Sequence, residues 1–82
     1  MSYMAGQDEF ETDDIYLAAY FSLAGCEMTR KRRQGPKVLL VFSNPAGPIQ
    51  ELRDSFYSGK AMVRAHDYAY KIIAMKQLVH EG

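Results

Sequence analysis

Residues 12–25 read TDDIYLAAYFSLAG, and this stretch decides how the rest of the chain must fold. From residue 15 to residue 24 almost every side chain is apolar, and Ala18 and Ala19 favour a helix. A helix that is apolar around most of its circumference lies inside a protein rather than on its surface. The stretch therefore predicts a central helix against which the other elements pack.

Both ends of this helix carry residues that are typical of helix caps. Thr12 is a favourable N-cap, because its hydroxyl can accept hydrogen bonds from the exposed backbone N–H groups of the first turn. Asp13 and Asp14 would complement the positive end of the helix dipole. Gly25 stands where a left-handed C-terminal residue is expected. We predict a helix that begins after Thr12 and ends at Gly25.

Two extended segments follow the helix. Residues 26–30 alternate apolar and polar side chains, and Lys37–Ser43 reads KVLLVFS, which is apolar and rich in valine. A Gly-Pro turn signal lies between them, at residues 35 and 36. The pattern predicts an antiparallel hairpin.

The second strand of this hairpin has apolar side chains on both faces. Alternate residues from Val38 point to one face, whereas Leu39 and Val41 point to the other. Because an isolated two-stranded hairpin is only marginally stable in water, this strand needs cover. Three sources of cover stay open: helices on both faces, a further short strand such as residues 9–11 or 61–63, or another chain.

The remainder of the chain predicts two helices. Pro48 suits the first turn of a helix that stops near Gly59. From about residue 64 to residue 80, apolar side chains follow one helical stripe. The stripe comprises Ala65, Tyr68, Ile72, Met75 and Val79, and Ala69 and Ile73 widen it.

The predicted order is α-β-β-α-α. This is an α+β fold in which a small antiparallel β-hairpin or sheet packs with three helices. Residues 1–9 are polar and predict a flexible N-terminal arm, and residues 10–82 predict a single small domain.

The chain of 82 residues is near the lower size limit for a domain that folds alone. Chains of this size are usually supported by disulfides, a metal or another subunit. Cys26 is the only cysteine, so an internal disulfide is excluded. We therefore expect a homo-oligomer, most simply a homodimer.

The location of the protein is predicted from its first residues and its single thiol. Residues 1–11 contain no lysine, no arginine and no apolar run, which does not match a signal peptide. No stretch approaches the ~20 apolar residues that span a bilayer. A lone cysteine is typical of a reducing compartment. We expect a soluble, cytoplasmic protein that does not enter a membrane.

Charge is sorted along the chain although the formal net charge is zero. Residues 1–29 carry six acidic side chains and no basic ones, and residues 30–37 carry five basic side chains and no acidic ones. The basic cluster comprises Arg30, Lys31, Arg32, Arg33 and Lys37. On a hairpin it could neutralise the phosphates of a nucleic acid. The commoner role of such a cluster, which we favour, is a solvated turn or a partner for the acidic residues of its own or a neighbouring chain.

The stretch TDDIYLAAYFSLAG, followed by a basic hairpin that ends VLLVF, resembles a family of small bacterial proteins known only as a domain of unknown function. The matching features are Thr12, Asp14, residues 16–20 and Gly25, then residues 38–42, 57–59 and 68–79. They cover nearly the whole chain from Phe10 onwards. All of them are caps, core positions or turns, so the resemblance supports the architecture and implies no activity.

Catalytic constellations are weak in this sequence. Asp13 and Asp14 could form a carboxylate pair, although dipole partners are the commoner role of two acids at a helix start. Cys26 could pair with His66 or His80 as a nucleophile and base, but its position after a helix end favours a small buried hydrophobe. The spacing of these residues matches no metal site. We predict a non-enzymatic protein with no catalytic, metal or cofactor site and no small-molecule ligand.

The most consistent functional hypothesis is a small protein–protein interaction module that associates with itself. The contact would be made by Leu39 and Val41 on the two-faced strand, or by the amphipathic last helix. The alternative is a nucleic-acid-binding accessory protein that uses the basic hairpin at residues 30–37.

Overall fold

The computed structural model describes residues 2–4, 9–44 and 47–81 and has the α+β fold that the sequence predicts. In chain order the elements are strands β1 (Ser2–Met4) and β2 (Glu9–Thr12), helix α1 (Ile15–Leu23), strands β3 (Glu27–Gln34) and β4 (Lys37–Ser43), and helices α2 (Ile49–Tyr57) and α3 (Ala65–Glu81). Relative to the predicted order, two short strands precede the first helix.

The four strands form one antiparallel sheet in the order β1-β2-β4-β3. β2 lies beside β4 and places Phe10 opposite Phe42 and Glu11 opposite Val41. Of the three sources of cover that the sequence left open for the hairpin, a further strand at residues 9–12 is therefore the one that joins the sheet.

The predicted flexible arm over residues 1–9 is corrected where the structure describes it. Ser2–Met4 pairs with β2 along its full length, and Glu9 is the first residue of β2. Residues 1 and 5–8 of the predicted arm lie outside the described residues. The pairing depends on backbone hydrogen bonds to a neighbouring strand, which a short polar segment does not signal in its own sequence.

The N-cap of α1 is Asp14, not Thr12 as predicted. The Asp14 carboxylate accepts hydrogen bonds from the backbone N–H groups of Tyr16 (2.9 Å) and Leu17 (3.2 Å). Thr12 is held in the sheet opposite Leu40, so the helix cannot begin until the chain has left β2. The Thr12 hydroxyl instead accepts from the Asp14 backbone N–H at 3.0 Å. The C-terminal prediction is confirmed, because Gly25 has a φ of 95°.

The core lies between α1 and one face of the sheet. Phe21 is fully buried and makes edge-to-face contacts with Phe10 and Phe42, with ring centroids 5.6 Å and 5.5 Å apart. Five consecutive residues of α1, from 17 to 21, are buried, which confirms that this helix is central. Val38 and Leu40 complete the sheet side of the core.

Helices α2 and α3 pack against α1 through aromatic side chains. The ring of Phe56 in α2 stacks on Tyr20 at 5.6 Å. The Tyr57 hydroxyl donates a hydrogen bond to the Asp14 carboxylate, and the Tyr68 hydroxyl of α3 donates to the Tyr16 carbonyl at 3.0 Å. Two tyrosine hydroxyls thus connect the later helices to the first turn of α1.

Strand β3 is longer than the sequence predicts. The expected strand at residues 26–30 continues to Gln34, and the turn consists of Gly35 and Pro36 alone. Gly35 has a φ of 62°, which a two-residue hairpin turn requires at this position. Because residues 30–34 pair with β4, Arg32 and Arg33 belong to the strand and not to the turn.

We expect Phe21→Ala to lower the free energy of unfolding by about 3–5 kcal/mol, because it leaves a cavity between α1 and the sheet. Such a loss approaches the whole stability of a small domain, so urea unfolding monitored by circular dichroism should show an early or absent transition. Gln50→Ala, at an exposed position of α2, is the control and should change the midpoint little. A Phe21→Ala loss below about 1 kcal/mol would contradict the assigned core.

Candidate interaction surfaces

The outer face of the sheet, opposite the helices, carries an ion pair that crosses β4. Glu11 of β2 lies opposite Val41, and Arg32 of β3 lies opposite Leu39. The Arg32 guanidinium donates through Nε to Glu11 Oε2 at 3.2 Å, and through a second nitrogen to Oε1. The Glu11 side chain is only 5% exposed, so this bidentate contact with Arg32 compensates the buried negative charge.

A second, more exposed pair lies beside the first. Arg30 binds Glu9 at 3.2 Å, and the Thr29 hydroxyl donates to the same carboxylate at 3.2 Å. Thr29 sits at the register shift between Met28 and Arg30, where the strand bulges. The extra residue brings a hydroxyl to the Glu9 carboxylate.

These two ion pairs explain the burial of the apolar side chains beneath them. Leu39 is 2% exposed and Val41 is fully buried, although neither belongs to the cluster that packs against the helices. Glu11 of β2 lies on one side of Leu39 and Val41, and Arg30 and Arg32 of β3 lie on the other side, all on this face of the sheet. Leu39 and Val41, the predicted self-association residues, are therefore already covered by their own chain and present no exposed apolar surface.

The predicted basic cluster does not form one continuous patch. Because β3 is a strand, Arg30 and Arg32 point to the outer face, whereas Lys31 and Arg33 point to the face that carries the helices. The Lys31 ammonium donates to the Leu78 carbonyl of α3 at 3.0 Å. Lys37 pairs with Asp13 at 3.6 Å.

Charge sorting along the chain thus corresponds to contacts within it. Glu9, Glu11 and Asp13 of the acidic segment each face one cation of the hairpin. A nucleic acid that bound here would have to displace or share these carboxylates. Of the roles that the sequence left open for the basic cluster, pairing with acidic residues of its own chain is the one that these contacts match.

The candidate catalytic residues lie at the N-terminal end of α1, just after its C-terminal end, and on α3. Cys26 is buried, and burial raises the pKa of its thiol to about 11, whereas nucleophilic cysteines have a lowered pKa. His66 and His80 are at exposed positions of α3, and the His66 ring meets Tyr70 edge to face at 4.8 Å. Asp14 caps α1 and accepts the Tyr57 hydroxyl, so it has a structural role.

Neither a candidate metal site nor a membrane-spanning helix occurs in the part of the chain that the structure describes. Within residues 2–4, 9–44 and 47–81, no group of three His, Cys, Asp or Glu residues could hold a metal ion. In the same residues, no helix has the length and apolar character needed to cross a membrane.

The outer side of α3 carries exposed apolar side chains. Tyr70 is 63% exposed and Ile73 is 54% exposed, and Ala69 is also exposed. The sequence placed Ala69 and Ile73 on the edge of the core stripe, but the core takes up the side that carries Tyr68, Ile72 and Met75. The prediction that Ala69 and Ile73 widen the buried stripe is therefore wrong, because both are exposed.

An open cleft lies at the start of α3. Its volume is about 220 Å³, and it lies between the end of α1 and the segment that leads into α3. Leu23, Met62, Val63, Arg64 and Asp67 line it. Met62 is 91% exposed and Val63 is 40% exposed, so the linker also carries exposed apolar side chains.

The chain matches no protein-family model, no curated protein and no solved structure. The resemblance to a bacterial domain of unknown function therefore stays a prediction, and functional proposals rest on the geometry of the surfaces.

We expect Arg32→Met to destabilise the fold by about 2–4 kcal/mol, because it leaves the Glu11 carboxylate buried without its guanidinium partner. Adding Glu11→Leu should restore most of that loss, since an apolar pair covers Val41 without a buried charge. Arg30→Met is the matched control; its pair is more exposed, and the change should cost less than about 1 kcal/mol. Equal effects of the two arginine variants in urea unfolding would refute this difference between the pairs.

We expect Cys26 to resist alkylation in the folded protein. With a pKa of about 11, roughly one thiol in a thousand is ionised at pH 8, against about one in four for an ordinary cysteine. Reaction with iodoacetamide at pH 8 should therefore be at least a hundredfold slower in the native protein than in guanidinium chloride. Because the folded pKa is raised, this thiol's contribution to stability is complete below about pH 8.5 and is lost as pH rises through 11. Equal native and denatured rates would show that the thiol is accessible and ionised.

Proposed function

We propose that the chain is a self-associating protein-interaction module whose contact surface is the outer side of α3. The observation that carries this proposal is the exposed apolar surface formed by Met62, Val63, Tyr70 and Ile73. Contiguous exposed apolar side chains with polar neighbours are typical of protein–protein contacts. The amphipathic last helix was one of the two surfaces that the sequence suggested for this role.

The spacing of the exposed residues on α3 supports helix-to-helix packing. Positions 66, 70, 73, 77 and 80 recur at alternating intervals of four and three residues, and all five are exposed. This is the repeat by which one helix packs along another. Met75, by contrast, belongs to the opposite side and lies in the core.

A second copy of the same chain fits this surface. In an antiparallel arrangement centred between Lys71 and Ile72, Tyr70 of one chain lies opposite Ile73 of the other. The centre of the contact is then uncharged, and the contact is self-complementary, as a two-fold interface requires. A chain of this size also buries a smaller share of its surface than a larger domain does, and a dimer would compensate for this.

We expect Tyr70→Glu and Ile73→Glu each to convert a dimer to a monomer in sedimentation velocity at micromolar concentration, because they place charge in the centre of the contact. Both side chains are more than half exposed, so the circular dichroism spectrum of the monomer should be close to wild type, and its unfolding midpoint should fall only by the stabilisation that association supplies.

Tyr16→Glu is the matched control for this experiment. Tyr16 is a tyrosine of similar exposure on α1, outside the α3 stripe, and its replacement should leave the dimer intact. A wild-type protein that sediments as a monomer at the highest attainable concentration would overturn the proposal. So would a Tyr16→Glu variant that dissociates as completely as Tyr70→Glu.

A further inference from the structure

Strand β3 occupies an edge of the sheet and is its longest strand. It pairs with β4 on one side only, in the sheet that the described residues form. Seven of its eight residues are exposed, and Arg32 is half-buried. In an antiparallel ladder alternate residues turn their N–H and C=O groups away from the partner strand. The free side of β3 therefore offers a row of backbone donors and acceptors.

Natural edge strands are usually blocked by proline, by bulges or by charged side chains. β3 contains no proline, and its one register shift lies between Met28 and Arg30. From Arg30 to Gln34 the pairing with β4 is unbroken, which leaves five regular residues. This length suffices for a short added strand.

Three of the four cationic side chains of β3 are drawn across the faces of the sheet instead of standing beside its free edge. Arg30 and Arg32 reach over β4 to carboxylates of β2, and Lys31 reaches to a carbonyl of α3. Side chains fixed in this way leave the backbone of the edge accessible. The cations nevertheless remain next to any strand that pairs there.

The charge of β3 determines which occupant fits. The strand carries four cations and one anion, Glu27. A second copy of β3 would bring the two sets of cations together, and like charges opposite each other destabilise a strand pair. An extended segment with glutamate or aspartate at alternate positions would instead face opposite charge.

We propose that the free edge of β3 binds an extended acidic segment of a partner protein, which adds to the sheet as a fifth strand. Backbone hydrogen bonds along residues 30–34 supply the docking, and the flanking cations select an acidic sequence, as in other strand-addition complexes. This site is separate from the α3 surface and does not depend on self-association.

The test is a binding titration followed by fluorescence anisotropy. The probe is a fluorescein-labelled peptide of eight residues in which glutamate and valine alternate. The first control peptide has the same sequence with N-methyl groups on alternate backbone nitrogens, which keeps the charge and removes strand pairing. The second replaces glutamate by lysine. We expect the unmodified acidic peptide to bind at least tenfold more tightly than either control.

Variants of the protein locate the site. Lys31→Glu with Arg33→Glu should weaken binding of the acidic peptide at least tenfold, whereas Lys60→Glu, an exposed lysine outside the sheet, should not. Amide hydrogen exchange within residues 30–34 should slow when peptide is bound. Binding to Tyr70→Glu should equal binding to wild type, which separates this result from the outcome for self-association.

Three outcomes would overturn the proposal. Equal binding of the N-methylated peptide would show charge attraction without strand addition. Absence of binding at low salt by the correctly folded protein would show that the edge is closed. Tighter binding of single-stranded nucleic acid than of peptide, lost in the Lys31→Glu, Arg33→Glu variant, would assign the cations to phosphate instead.

Discussion

The structure depends on covering one apolar strand on both faces. β4 is buried over five consecutive residues, and a strand in this state needs packing partners above and below it. On one face the cover is α1, whose Phe21 contacts Phe42. On the other it is a pair of charged side chains, Glu11 and Arg32, held together across the strand. This second cover is stable only while the two side chains are paired, because the buried Glu11 carboxylate without the Arg32 guanidinium would cost several kcal/mol. The buried half of the ion pair, Glu11, thus requires the guanidinium of Arg32.

The sequence predicted those parts of the fold that depend on local residues. Apolar content, alanines and a glycine of positive φ defined α1, and valine-rich alternation defined β4. The position of the N-cap was missed by two residues because Thr12 is held by pairing with β4, and Asp14 is the first residue free to cap. Pairing between segments overrides local preference, so β1 and the full length of β3 were also missed.

The candidate surfaces were predictable only in part, because they too depend on which distant segments pack together. The sorted charge along the chain indicated that the hairpin could pair with the acidic segment, but not which residues would meet. On α3 the helical period identified the stripe that faces the core, but it also assigned Ala69 and Ile73 to the edge of that stripe, and both are exposed. The Tyr68 hydroxyl and Met75 hold the stripe on the core and leave Tyr70 outside.

The ion pairs of the outer sheet face connect the stability of the sheet with the proposed binding edge of β3. Arg30 and Arg32 reach across β4 to the carboxylates of β2, so their side chains do not lie along the free edge of β3. The contacts that cover β4 therefore also leave the backbone groups on the free edge of β3 uncovered by these two side chains. If the arginines were released from Glu9 and Glu11, they could block that edge, but Val41 would lose its cover. An edge that is both cationic and open is thus a consequence of how this small sheet buries its central strand, and it favours an acidic strand over another copy of itself.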